Sequence, residues 1–141
     1  MDYRQLSEEL CDMHFRYARE LKELLTLINT RGEDAVLIWA SRQEGPVYAM
    51  DIISCFDLSA GRVANILKQM EKRGYITRTP DADDLRRSHI LLTEEGKQAA
   101  GVKYEQMVSG HQKLLKIFGE SDANDYARIM RGFVSKLSKE K

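Results

Sequence analysis

Residues 58–96 read LSAGRVANILKQMEKRGYITRTPDADDLRRSHILLTEEG. Ser59 stands where a hydroxyl caps the free amides of a helix. Val63, Ile66, Leu67 and Met70 recur at three- and four-residue spacing and mark the face that helix buries. Arg62, Asn65, Lys68, Gln69 and Lys72 fall outside that face. Gly74 ends the helix by the left-handed conformation open to glycine. Residues 75–79 and 88–92 are rich in β-formers and predict a hairpin. The eight residues between them, PDADDLRR, are too many for a tight turn and make a projecting loop. Thr93 caps the following helix, whose first turn carries Glu94 and Glu95 against its dipole. The stretch is thus a capped helix feeding a hairpin, with basic side chains on both.

Upstream, residues 49–56 form a short helix and Asp57-Leu58 its turn into Ser59, the order of a helix-turn-helix. Gly45-Pro46 precedes it, with Val47 a candidate strand of one or two residues. Residues 35–40 are wholly apolar and predict a short core helix, with Trp39 as its largest side chain. The run 29–32 breaks the chain before it. Residues 3–28 carry Leu6, Leu10, Met13, Tyr17, Leu21, Leu24 and Ile28, the stripe of a single amphipathic helix. Downstream, the helix capped by Thr93 continues to Phe118, residues 119–121 break it, and Tyr126, Ile129, Met130, Phe133 and Leu137 mark a final helix. The predicted fold is mainly α with a small β-hairpin: a winged helix-turn-helix with long N- and C-terminal helices. We read 1–141 as one domain, with a DNA-binding core at about 33–96 and dimerisation helices at 1–30 and 97–141. Three apolar stripes at the chain ends need a partner, and a two-fold homodimer is the commonest solution.

Lys plus Arg number 22 and Asp plus Glu 22, so the formal net charge is zero. Phosphate affinity depends instead on where the charge lies. Between Ser59 and Thr79, Arg62, Lys68, Lys72, Arg73 and Arg78 face Glu71 alone, a local excess of four cations. Hydrophobic residues make up 43% of the chain, the composition of a globular protein. No apolar run approaches the roughly 20 residues of a membrane span, and no signal-peptide pattern opens the sequence. Cys11 and Cys55 lack CxxC spacing, which points to a reducing cytoplasm and away from a disulfide scaffold. There is no Gly-rich phosphate loop, nucleophile elbow or metal-hydrolase motif, and the paired carboxylates Asp83-Asp84 and Glu94-Glu95 sit in a loop and a helix cap. We therefore expect no enzyme, no cofactor and no membrane partner.

Arg78, then Asp84-Leu85-Arg86, then Leu92-Thr93-Glu94-Glu95-Gly96 follow the wing pattern of the MarR family of bacterial winged-helix transcription regulators. Glu44-Gly45-Pro46, Leu58-Ser59, Val63 and Met70-Glu71-Lys72-Arg73-Gly74 also fit, and the chain resembles that family in detail from about 35 to 96. The sequence departs from it where Tyr48-Ala49 replaces the Ser or Thr cap after Pro46, and where the recognition helix has Gly61-Arg62 and Ala64-Asn65. The resemblance implies a homodimeric repressor of a palindromic double-stranded DNA operator, released by a small-molecule effector. Arg62 and Asn65 are then the base readers, since Arg pairs with guanine and Asn with adenine in the major groove. Ser59, Lys68 and Gln69 contact phosphates or adjacent bases, Arg86 enters the minor groove, and Arg87 is a second phosphate contact. Arg78 and Asp84 are wing scaffold, with Asp84 pairing with an arginine or capping loop amides. A redox- or metal-responsive regulator of the same fold is one alternative, and a winged helix used only for protein contact, without DNA binding, is the alternative from another class.

For sensing, Cys11 is the candidate residue, because relatives resembling peroxide sensors keep a cysteine near the start of the first helix. Glu8, Glu9 and Asp12 surround it and oppose the thiolate that oxidation requires. Cys11 and His14, with His111, are too few to define a metal site, so no metal is expected. A small aromatic effector is the remaining reading, with Tyr3, Tyr17, Tyr104, Met13 and Met107 as lining candidates or ordinary core residues.

Overall fold

A computed structural model describes residues 1–84 and 86–139. Leu85 of the wing pattern and the last two residues lie outside the described residues. The elements in chain order are α1 (Tyr3–Arg16), α2 (Ala18–Ile28), α3 (Gly32–Ser41), α4 (Ala49–Phe56), α5 (Ala60–Lys72), β1 (Ile76–Pro80), β2 (Ser88–Leu92) and α6 (Glu94–Lys139). They divide between two compact units, residues 30–106 and residues 1–29 with 107–141.

The unit 30–106 holds the helix-turn-helix and the hairpin. Its core joins Val36 and Leu37 of α3, Ile52 of α4, Val63, Ile66, Leu67 and Met70 of α5, Ile76 and Ile90 of the hairpin, and Ala100 of α6. The predicted face of α5 is therefore the buried one. Trp39 packs edge-on against Phe56 at 5.9 Å between ring centroids, on the margin of that core. Asp57, at φ 50°, turns the chain out of α4 in the left-handed region, and Gly74, at φ 75°, does so after α5. The strands are antiparallel from Ile76↔Leu92 to Pro80↔Ser88, and Val47 adds an isolated bridge to Ile90. Thr93 closes the unit: its Oγ donates to the Gly74 carbonyl (2.6 Å) and accepts from the Gly96 N–H (3.0 Å). Lys103 of α6 pairs with Asp34 of α3 at 3.1 Å.

In the other unit the expected single helix over 3–28 is two helices. Tyr17, at φ −116° and ψ 32°, leaves the helical region between α1 and α2. Its N–H still donates to Met13 and its carbonyl still accepts from Leu21, so the ladder and the apolar periodicity run on past a break that neither Gly nor Pro announces. Gly110 is buried, because the segment around it passes against the Leu27 backbone too closely to admit a Cβ. Gly119, at φ 79° and ψ 170°, interrupts α6 where a break was expected, with Phe118 and Tyr126 meeting across it at 5.4 Å. Neither α1 nor α2 buries a residue fully, and Leu10 (57% exposed), Phe15 (80%) and Phe133 (55%) show how much apolar surface this unit leaves open.

Candidate nucleic-acid interface

Ser59 caps α5 as read, its Oγ accepting the Arg62 N–H at 3.2 Å. With Val63, Ile66, Leu67 and Met70 turned inward, helical geometry places Gly61, Asn65, Lys68 and Lys72 on the opposite side and Arg62 and Gln69 on one flank. Arg62, Asn65 and Lys68 are exposed and Gln69 is half-buried. Glycine at 61 and alanine at 60 and 64 keep the start of this face low, which lets a helix approach a groove floor closely.

The local excess of cations is smaller in three dimensions than along the chain. Arg73 pairs with Glu33 of α3 at 3.1 Å, and Arg78 of β1 pairs with Glu71 of α5 at 3.5 Å. Among the described residues, Arg62, Lys68, Lys72 and Arg86 have no carboxylate within salt-bridge distance. On α5 and the loop, those four are the cations that no carboxylate among the described residues holds and no aromatic ring seats.

The loop from Asp81 to Arg87 is built by two aspartates. Asp84 Oδ1 accepts the Arg86 N–H at 3.0 Å and its carbonyl accepts the Arg87 N–H at 3.0 Å, so Asp84 shapes the loop by capping amides. Asp81 was not singled out in the sequence, yet it is a buried polar residue with 7% exposure. Its Oδ1 accepts the Asp83 N–H (3.0 Å), its Oδ2 accepts the Tyr48 hydroxyl (3.0 Å), and His89 Nε2 lies 3.5 Å away. Tyr48 also meets His89 at 2.9 Å through its oxygen, and the Arg87 guanidinium lies 3.9 Å over its ring. Arg87, expected on phosphate, is thus seated on an aromatic face. Tyr48 makes no side-chain cap to α4; its own N–H is accepted by Asp51 Oδ2 at 2.8 Å, the reciprocal half of a capping box. Pairs 33 and 41 positions apart leave no periodic signal; the only trace is an aromatic where the resemblance leads one to expect a small hydroxyl.

These contacts set the titration of the cluster. The Asp83 amide, with help from the Tyr48 hydroxyl and His89, holds the Asp81 carboxyl below its ordinary range. Burial first, then the hydrogen bond and charge of Asp81, push the Tyr48 phenol above its ordinary value. A depressed carboxyl stabilises the fold above the unfolded value of about 3.9 and stops doing so as pH falls through its folded value; a raised phenol stabilises below about 10 and stops as pH rises through its folded value. The cluster is therefore intact across the neutral range and lost at both extremes. In an ultraviolet-absorbance titration, the difference between wild type and Tyr48→Phe should be a phenol ionising later than free tyrosine. Asp81→Asn should bring it part-way down, and an unmoved transition would contradict the contact.

Cys11 is exposed on α1, and no group of three or more potential metal ligands occurs among the described residues. No described helix is long and apolar enough to cross a membrane.

The fold is that of the winged helix-turn-helix class. Residues 35–87 match the model of the MarR family. The HTH-type transcriptional regulator SarZ of Staphylococcus saprophyticus is 34% identical over 84 residues, 56% of this chain and 53% of that protein, so the chain spans about half the length of this curated relative. A crystal structure of MarR superposes with a TM-score of 0.70 at 21% identity, covering 99% of this chain and 96% of that one. A point mutant of MepR from S. aureus bound to an oligodeoxyribonucleotide superposes with a TM-score of 0.52 at 19% identity, covering 94% and 97%.

Proposed function

We propose that this chain is a sequence-specific DNA-binding transcription regulator. On this reading it is a cytoplasmic repressor that occupies a palindromic operator as a homodimer and leaves it when a small aromatic effector binds. The observation that carries the proposal is the one unit that presents unpaired Arg62, Lys68 and Lys72 outward on a capped helix and Arg86 on a shaped loop. A helix of this kind reads major-groove edges while an arginine-tipped wing fits the narrow minor groove. The name of the relative and the oligonucleotide held by the MepR mutant support the same reading. The exposed stripes of α1, α2 and the end of α6 support a homodimer, whose two readers would meet half-sites about one helical turn, or ~34 Å, apart.

Selection of binding sites from random DNA, followed by anisotropy titrations at several salt concentrations, tests this. A palindromic preference with affinity falling steeply as salt rises is expected; affinity that ignores salt would exclude phosphate contact and overturn the proposal. Asn65→Ala should leave total binding to mixed DNA nearly unchanged but relax preference at one adenine per half-site by about 1–3 kcal/mol. Unaltered selected sites would remove Asn65 from the base readers. Size-exclusion chromatography with light scattering should give a dimer at micromolar concentration, and a stable monomer there would sink the two-fold arrangement. A thermal-shift screen of phenolic ligands then addresses the effector.

A further inference from the structure

We propose that Tyr48 is a positioning residue for the wing, one that holds the arginine loop in its DNA-competent place through its hydroxyl. This rests on the DNA-binding reading and deepens it. Tyr48 stands at the N-cap of α4 with its N–H held by Asp51 Oδ2, and its side chain reaches away from the helix to the hairpin. Its hydroxyl donates to buried Asp81 at the end of β1, and its oxygen faces His89 of β2. One phenol therefore bridges both strands at the point where the loop leaves them. Immediately before it, Val47 accepts the Ile90 N–H at 2.8 Å, so two consecutive residues tie the hairpin to the approach to α4.

From Asp81 the bonding continues into the loop. The Asp81 N–H donates to the Arg87 carbonyl (2.9 Å), Asp81 Oδ1 holds the Asp83 amide, and Asp84 holds the Arg86 amide. The Arg87 guanidinium returns to the Tyr48 ring. The backbone carrying Arg86 is fixed at its base by a donor on α4's doorstep, in the same unit as the α5 face. An arginine finds a narrow groove only if its loop is held before binding, because ordering a free loop on DNA is charged against affinity. A hydroxyl given to a buried carboxylate is a strong bond for this purpose, and its loss leaves a buried acceptor short of one partner.

Tyr48→Phe keeps the ring under Arg87 and against His89 and removes only the hydroxyl. Binding of a fluorescent mixed-sequence duplex is measured for wild type, Tyr48→Phe, Arg86→Ala, and the Tyr48→Phe/Arg86→Ala pair, all well below their melting temperatures. Tyr48→Phe should weaken binding about tenfold in the wild-type background and hardly at all once Arg86 is gone. Amide exchange at Asp81 and Arg87 should quicken in Tyr48→Phe without DNA present. Asp81→Ala, which removes the same bond from the other side, should show the same dependence on Arg86. Binding like wild type, or an equal loss in both backgrounds, overturns the positioning role while the DNA reading stands. A wild-type protein that binds no duplex overturns both.

Discussion

Alanine at Gly96 should lower the melting temperature by about 10 °C, a loss of about 3 kcal/mol for a chain of this size. Gly96 lies in the first turn of α6, with no room for a Cβ against the carbonyl of Tyr75. The obstacle is backbone, which cannot rotate aside as a side chain does. That carbonyl also accepts the Thr93 N–H at 3.0 Å, and Thr93 Oγ holds Gly74 and Gly96 at once. Moving α6 off to make space breaks this knot, and each bond lost adds about 1 kcal/mol. Gly101, also in α6, is the control: nothing approaches within 4 Å of an added Cβ there. Alanine at 101 should instead stabilise by about 0.5–1 kcal/mol through helix propensity. Thermal unfolding followed by circular dichroism reads both, and equal melting of Gly96→Ala and wild type would mean the helix start is not so tightly seated.

Lys68→Ala and Arg86→Ala should each flatten the salt dependence of DNA binding. One phosphate contact contributes close to one unit to the slope of log affinity against log salt, so each substitution in a homodimer removes about two. Lys68 is a phosphate candidate, because its ammonium is a point charge on a flexible, exposed stem. Its loss should weaken all sequences alike. Arg86→Ala should cost more on duplexes with A-tracts flanking the selected site, where the minor groove narrows and its potential deepens. Both variants keep the core untouched, since both side chains are exposed. A slope unchanged in Lys68→Ala would take α5 off the DNA backbone.

Much of this was legible in the chain because it is written locally. The α5 stripe, the Ser59 and Thr93 caps, the Gly74 stop and the 88–92 strand all depend on neighbours a few residues away, and the structure has them as read. β1 starts at Ile76 and extends to Pro80, a one-residue shift at an end where pairing, not propensity, sets the limit. The Tyr17 break lies outside such reasoning, because the apolar spacing continues through it. The charge pattern misled for a related reason: Glu33 is 40 positions from Arg73, so counting along α5 cannot see that their charges meet. Asp81 looked like one more loop acid among Asp83 and Asp84, and only the packing of Tyr48 singles it out.

Glu33 and Glu71 give the reader a set of built-in counterions. A cation that already holds a carboxylate has shed part of its mobile ion cloud before DNA arrives, and must exchange one anion for another to touch phosphate. Arg73 and Arg78 are therefore muted toward any anion, while Arg62, Lys68 and Lys72 on the outward side of α5 carry no such counterion among the described residues. On the proposed DNA-binding reading, such pairing would thin out adhesion to arbitrary sequence and leave the outward cations of α5 for the selected site. If the proposal holds, a chain with equal numbers of acids and bases would in this way spend less time parked on arbitrary sequence and more on its operator.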